Sequence, residues 1–178
     1  MKKDKIKKLV LSASLLGVGI VLPLLTSQIK EIGDTLLPMH IPVMLCGFLC
    51  DANYGFFVGL ILPFLRYFIF GMPPIYPNAV WMALELATYG LVVGLLYFNL
   101  NISNLKRVYI SLLSAMLAGR IVWGISKAIL LGFSGKSFAF MGFITGGFVD
   151  SLPGIVIQLL LIPFILRIIE KSQKIKAD

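Results

Sequence analysis

The sequence is poor in the residues and motifs that carry catalysis. It holds one histidine, His40, and two cysteines, Cys46 and Cys50, which lie four residues apart on an apolar segment. One histidine cannot support a metal site, and the two cysteines fit a pair of small helix residues better than a disulfide or a zinc site. A glycine-rich phosphate loop, a paired-histidine motif, a Gly-x-Ser-x-Gly elbow and an aspartate-rich cluster are all missing from the sequence. It therefore predicts neither a cofactor nor an enzyme, and it excludes a self-contained ATPase.

Charge is also scarce. Charged residues make up 13% of the chain, against about 25% in ordinary soluble domains, and hydrophobic residues make up 58%. The mean hydropathy of +0.95 is too high for a soluble globule, which could not bury so much apolar surface. Apolar spans alternate with short polar loops along all 178 residues. This pattern predicts a single membrane domain over residues 1–178.

Six apolar spans predict an all-α integral membrane protein with a six-transmembrane-helix bundle. A helix needs about 20 apolar residues to cross the hydrocarbon, and five of the spans approach that length. The second span is short and contains Pro38 and Pro42, so it is predicted to be tilted or irregular. The first follows a lysine-rich start but lacks a small-residue cleavage site, which favours a retained helix over a signal peptide. The spans are 10–29, 36–50, 54–70, 79–98, 108–133 and 148–169.

The positive charges predict an orientation. The net charge is +8, and eleven of the sixteen Lys and Arg residues fall in the two termini and in the loop after the fourth span. Cytoplasmic loops are enriched in these residues, so both termini and this loop are predicted to be cytoplasmic. The loops at 30–37, 71–78 and 134–141 then face outward. The charge therefore reports membrane topology rather than nucleic-acid binding.

Five charged residues interrupt the spans, and all are predicted to lie between the middle of the bilayer and its outer surface. Each costs about 2.5 to 3.5 kcal/mol at the bilayer centre on insertion scales and is usually kept for a partner or a pathway. Helical spacing gathers polar residues into one stripe on the fourth span and one on the fifth, and both are expected to face the bundle interior. The charges are Arg66, Glu85, Arg120, Lys127 and Asp150; the stripes are Arg120, Trp123 and Lys127, and Asn78, Trp81 and Glu85 with either Thr88 or Tyr89.

The predicted outer loops add further residues to this region. The segment 72–78 is rich in proline and presents Tyr76 and Asn78, and the first outer loop ends in the run 38–42, which overlaps the start of the second span and includes His40. Together with the two stripes, these loops predict a small-molecule pocket that opens outward. Aromatic walls with a few converging polar groups are the usual composition of such a site.

Structural roles remain open for the same residues. Two ion pairs that only hold the bundle together would account for most of the charges: Arg66 with Glu85, and Arg120 with Asp150. The aromatic and remaining polar side chains also have possible structural roles, namely interfacial anchoring by Trp81 and Trp123, snorkelling by Lys127, a loop or capping role for His40, and an interhelical hydrogen bond from Gln158.

Small residues recur at four-residue spacing in four of the spans. Such pairs let helix backbones approach closely in lipid, where the hydrophobic effect no longer drives helices together. Most are expected to be contacts inside the bundle, and one could serve a partner protein. The sets are Ala13 with Gly17, Gly55 with Gly59, Gly90 with Gly94, and Ser111 with Ala115 and Gly119.

Three stretches resemble the substrate-binding S components of energy-coupling factor (ECF) vitamin transporters. They are LPMHIPVMLCG at 37–47, GMPPIYP at 71–77 and ELATYGL at 85–91, and the resemblance extends over essentially the whole chain. It implies a six-helix subunit that captures a vitamin or related micronutrient from outside. Such a subunit then docks on a module of one membrane coupling subunit and two ATPase subunits, and it has no ATPase of its own.

The resemblance also implies functional residues. The family docks through small residues on the first helix; Ala13 and Gly17 hold that spacing, although glycine replaces the second alanine of the usual pattern. Family ligands lie near the outer surface, among helices four to six and the outer loops. The predicted substrate-binding residues are Arg120, Lys127, Trp123, Glu85, Trp81, Asn78, Tyr76, Arg66, Asp150 and His40.

The excess of basic over acidic residues in this region favours an anionic ligand. Pantothenate is the first candidate, with niacin, folate, pyridoxine and hydroxymethylpyrimidine as rivals. The alternative function is a structural or assembly subunit of a membrane complex, with no small-molecule ligand.

Overall fold

The computed structural model describes residues 2–26, 37–133, 145 and 151–175. Within these ranges the chain forms six α-helices, and five of them are long and apolar enough to cross a membrane. The second helix has only ten residues. The predicted all-α bundle with a short second span is confirmed. The helices are α1 (Lys2–Thr26), α2 (His40–Leu49), α3 (Ala52–Phe70), α4 (Val80–Asn99), α5 (Asn104–Phe133) and α6 (Leu152–Ile175).

Three helices extend beyond the predicted spans at their charged ends. Helix α1 starts at Lys2 rather than at residue 10, α5 starts at Asn104 rather than at 108, and α6 continues to Ile175 rather than to 169. Lysine and arginine are good helix formers, so the helix continues where the apolar span stops. The apolar pattern marks the stretch that can cross the membrane, and the helix ends lie outside it.

Helix α2 is regular despite its prolines. The predicted irregularity is confined to the turn before it, where Leu37 has a φ of 49° and its carbonyl accepts a hydrogen bond from the His40 N–H at 3.1 Å. Pro42 lies in the first turn of the helix, where a backbone N–H would have no partner within the helix in any case. The chain reverses after Cys50, and the carboxylate of Asp51 caps α3 by accepting a hydrogen bond from the Ala52 N–H at 2.7 Å.

Glycines let α2, α3 and α4 touch backbone to backbone. A Cβ added to Gly90 would lie 2.2 Å from the carbonyl oxygen of Gly55, and one added to Gly47 would lie 2.6 Å from that of Gly90. The predicted small pairs on α3 and α4 are therefore contacts inside the bundle. We call this region the glycine crossing, and it consists of Gly47, Gly55, Gly59, Gly90 and Gly94.

Helix α4 packs against α3 on one side and α5 on the other, and it also contacts α2. Small residues of α5 face it: a Cβ added to Gly119 would lie 2.8 Å from the ring of Tyr89, and Ser111 and Ala115 are fully buried. Because α4 is central, a side chain on it can contact both α2 and α5.

The connection from α3 to α4 contains two predicted site residues. Gly71 ends α3 with a φ of 72°, a left-handed conformation that glycine adopts without steric cost. The chain then forms a short π turn at Ile75–Ala79, which contacts α3, α4 and α5 and includes Tyr76 and Asn78. We call the end of the bundle that carries this turn the turn end. It is the end that the charge pattern predicts to face outward.

Helix α1 packs against α2 and α3 with one face, and its other face is not covered by any described residue. A Cβ added to Gly19 would lie 2.8 Å from Leu62, whereas one added to Gly17 would have no described heavy atom within 4 Å. Ala13 is exposed as well. Of the four predicted sets of small residues, Ala13 with Gly17 is therefore the set on the surface of the described structure.

Candidate functional site

The carboxylate of Glu85 is the centre of a buried polar cluster formed by three helices. Its Oε1 atom accepts hydrogen bonds from Arg120 Nη1 at 3.0 Å and from the Tyr89 hydroxyl at 3.2 Å. His40 Nε2 lies 3.5 Å from the same oxygen, and the His40 ring meets the Tyr89 ring edge-on at 4.9 Å. The position of α4 between α2 and α5 brings the four side chains together. All four are at least 95% buried. We call them the Glu85 cluster.

The Glu85 cluster contains more buried donors than the described residues can satisfy. Arg120 Nε and Nη2 and both ring nitrogens of His40 are buried without a hydrogen-bond partner among the described residues. The contact of His40 Nε2 with Glu85 does not meet hydrogen-bond geometry, although the two atoms are close enough to interact electrostatically. A buried donor without an acceptor costs about 1 to 3 kcal/mol. An acceptor supplied from outside the chain would relieve this cost.

Next to the Glu85 cluster, an ammonium lies between two indole rings. Lys127 Nζ is 4.5 Å from the ring centroid of Trp123 and 5.6 Å from that of Trp81. The Arg120 guanidinium is 6.0 Å from the centroid of the Trp123 ring, so this ring lies close to both Arg120 and Lys127. We call Lys127, Trp81 and Trp123 the lysine box. The predicted stripes on the fourth and fifth spans thus contact each other across the α4–α5 interface.

Arg66 takes a different partner from the one considered in the sequence. Its Nη1 donates to the Met39 sulfur at 3.4 Å, and its Nε is buried without a partner among the described residues. The proposed pair of Arg66 with Glu85 is wrong, because α5 brings Arg120 to Glu85 while Arg66 lies beside the residue that precedes α2. The proposed pair of Arg120 with Asp150 cannot be assessed in the same way, since Asp150 lies outside the described residues.

The π turn is joined to α5. The Tyr76 hydroxyl donates to the carbonyl oxygen of Leu130 at 3.0 Å, and Asn78 is half-buried in the same turn. This contact fixes the turn over the end of the α4–α5 interface that contains the lysine box.

Three neighbours of the predicted site residues were not assigned to the site from the sequence, although two of them had been named in other roles. Tyr89 and Thr88 fit the same stripe equally well, but Thr88 uses its hydroxyl on the carbonyl of Leu84 in its own helix. The spacing of Tyr89 four residues after Glu85 carried the signal for their hydrogen bond. Gly119 makes room for the Tyr89 ring, as its place in the predicted small-residue set of α5 allowed. Nothing in the sequence indicated Met39, because an apolar residue is not expected to accept a hydrogen bond from an arginine.

Comparison with known proteins identifies the family. Residues 7–166 match the family described as the substrate-specific component of ECF transporters, and this match covers most of the chain. The chain therefore belongs to that family. Its members are the substrate-binding subunits of ECF importers and act together with a T component and ATPases. No curated protein sequence and no solved structure matches the chain significantly.

Proposed function

We propose that this subunit captures an anionic vitamin or related micronutrient at the turn end and delivers it inward through an ECF module. In this proposal the turn end faces outward, and both termini are cytoplasmic. The observation that carries the proposal is the set of buried donors on Arg120 and His40 that find no acceptor among the described residues. A cluster that served only to hold the helices together would be expected to satisfy its own polar groups.

The charge balance supports an anionic ligand. Three basic residues, Arg66, Arg120 and Lys127, lie toward the turn end. Among the described residues, Glu85 is the one carboxylate that lies with them. The Nε and Nη2 atoms of Arg120 form the edge of a guanidinium that can hold a carboxylate through two parallel hydrogen bonds. Pantothenate is the first substrate to test, because it joins a carboxylate to an amide and two hydroxyl groups. These groups could meet the ring nitrogens of His40 and the aromatic side chains of the lysine box.

Isothermal titration calorimetry of the purified subunit tests this function. The panel is pantothenate, niacin, folate, pyridoxine and hydroxymethylpyrimidine, with mass spectrometry of any small molecule that co-purifies. We expect one-to-one binding of one anionic vitamin. If pantothenate binds, panthenol, which replaces the carboxylate by an alcohol, should bind about 10- to 100-fold more weakly, because a charge-assisted hydrogen bond is lost. A subunit that binds no vitamin and co-purifies with none would favour the structural or assembly function.

The uncovered face of α1 is the proposed docking surface for the coupling subunit. Ala13 and Gly17 lie on it, and a shallow apolar groove runs beside Gly17 along Val18 and Val21. Small residues on an exposed apolar helix face permit close approach of a partner helix in lipid.

A leucine at position 17 should separate docking from ligand binding. The variant Gly17→Leu is expected to bind the ligand within about twofold of wild type but to lower uptake about tenfold or more, a loss of at least ~1.4 kcal/mol at the interface. Uptake in cells that contain the whole transporter and affinity of the purified subunit are the two measurements.

Gly19→Leu is the matched control, because it lies on the packed face of the same helix. Its side chain would collide with Leu62, so it should destabilise the subunit and reduce both binding and uptake. Normal uptake by Gly17→Leu would show that this face does not dock.

A further inference from the structure

The lysine box has the form of a cation-binding site that is already filled. Two indole faces converge on the ammonium of Lys127, at 4.5 Å and 5.6 Å from the ring centroids. Proteins that bind quaternary ammonium ligands surround the cation with aromatic rings in the same way. Here the cation belongs to the chain itself and is tethered to α5.

The ammonium lies at the α4–α5 interface, where Lys127 is half-buried. Trp123 lies one helical turn before Lys127 on α5, farther from the turn end, and Trp123 is 91% buried. The Lys127 side chain thus extends back along its helix against this ring instead of snorkelling toward the end of the helix. No described carboxylate lies within ion-pair distance of its Nζ, and the Glu85 carboxylate is already bound by Arg120. The ring faces offset the charge of Lys127 only in part.

We propose that Lys127 determines the sign of charge that the site accepts, by filling the two-tryptophan box with its own ammonium. A cationic ligand would have to displace a tethered cation from the rings and would then lie beside it. An anionic group meets a positive charge that is already positioned and that the described residues neutralise only in part. This inference rests on the proposed function, because it names the residue that sets ligand selectivity at the same site.

The chain offers a direct optical test, because Trp81 and Trp123 are its two tryptophans. The experiment titrates tetramethylammonium chloride into the purified subunit in a maltoside detergent, which carries no ammonium group, and follows tryptophan emission. The variant Lys127→Ala empties the box and should show a saturable change in emission, whereas wild type should show none. The same variant should bind the anionic vitamin at least about tenfold more weakly.

Two further variants test whether the lysine box itself causes the response to tetramethylammonium. In Lys127→Ala with Trp81→Leu, one wall of the box is removed, so the gained response to tetramethylammonium should disappear. Lys106→Ala, a lysine-to-alanine change at an exposed position in the first turn of α5, should behave as wild type in both titrations. An emission change that is equal in wild type and Lys127→Ala would overturn the proposal, and so would unchanged vitamin affinity in Lys127→Ala.

If Lys127→Ala does not fold, Lys127→Met replaces it, since methionine fills similar space without charge. This variant should lose about tenfold in vitamin affinity without binding tetramethylammonium, and wild-type affinity would overturn the proposal. These measurements distinguish failure of the proposed transport function from failure of the proposed role of Lys127. If wild type binds no vitamin but Lys127→Ala responds to the cation, the transport assignment is refuted, and the lysine box is still supported as a cation-binding site. A wild type that binds an anionic vitamin, together with a Lys127→Ala variant that binds it equally well, refutes only the role of Lys127.

Discussion

The variant Arg120→Ala is expected to lower the affinity for an anionic vitamin about a hundredfold or more and to destabilise the bundle by about 3 to 5 kcal/mol. Both effects follow from the contacts of one guanidinium. Its Nη1 binds Glu85 at 3.0 Å, while its Nε and Nη2 are without a partner among the described residues. Alanine removes the proposed ligand donors and leaves a buried carboxylate without its counter-charge. Calorimetric affinity and thermal unfolding of the subunit in detergent measure the two effects separately.

A double variant separates ligand binding from structural pairing. In Glu85→Gln with Arg120→Met, both charges are gone; glutamine keeps the shape of the glutamate, and methionine keeps the apolar stem of the arginine. Replacing both members of a buried ion pair is often close to neutral, so thermal stability should return near that of wild type. Ligand affinity should stay low, because the guanidinium is still absent. A double variant that binds the vitamin as tightly as wild type would mean that Arg120 serves only to hold Glu85.

The variant Gly90→Ala should prevent folding or lower stability by about 3 kcal/mol or more. Its Cβ would lie 2.2 Å from the carbonyl oxygen of Gly55, and backbone atoms cannot rotate away as a side chain can. Helices α3 and α4 would have to separate, and α2 contacts the same residue through Gly47. The yield of monodisperse protein and its thermal unfolding in detergent measure the effect.

Gly17→Ala is the matched control for the glycine crossing. Alanine is favoured over glycine within a helix by about 1 kcal/mol, and at Gly17 no described atom opposes the added methyl group. This variant should be as stable as wild type or slightly more so. Equal stabilities of Gly17→Ala and Gly90→Ala would contradict the close approach of α3 and α4.

The sequence predicted the spans well because crossing a bilayer imposes a length that local composition reports. It misplaced the charged helix ends, since the lysines after Lys2 continue a helix without being apolar. Small-residue spacing predicted close contacts but could not say where they are. Gly17 and Gly90 carry the same pattern, yet one lies on the surface and the other against a backbone. Spacing defines a stripe on a helix, and the neighbour of that stripe depends on how distant segments dock.

The same distinction applies to the candidate site. Helical periodicity placed Trp123 and Lys127 on one face of α5 and Trp81 and Glu85 on one face of α4, and the structure brings the two faces together. Local pattern does not decide the partner of Glu85, because either arginine has the right charge. The relative shift of neighbouring helices along their axes decides such a pairing. That shift depends on contacts such as Gly119 against Tyr89, which no local pattern encodes.

The backbone contacts at the glycine crossing also limit how the subunit can move. Helices usually slide past one another by exchanging side-chain rotamers at their interface. Between Gly55 and Gly90 there is no layer of side chains to exchange. Helices α2, α3 and α4 are therefore expected to move together as one body, which carries Glu85 and His40. If the proposed function holds, movement around a ligand is expected to shift α5 relative to these three helices, and with it Arg120 and Lys127.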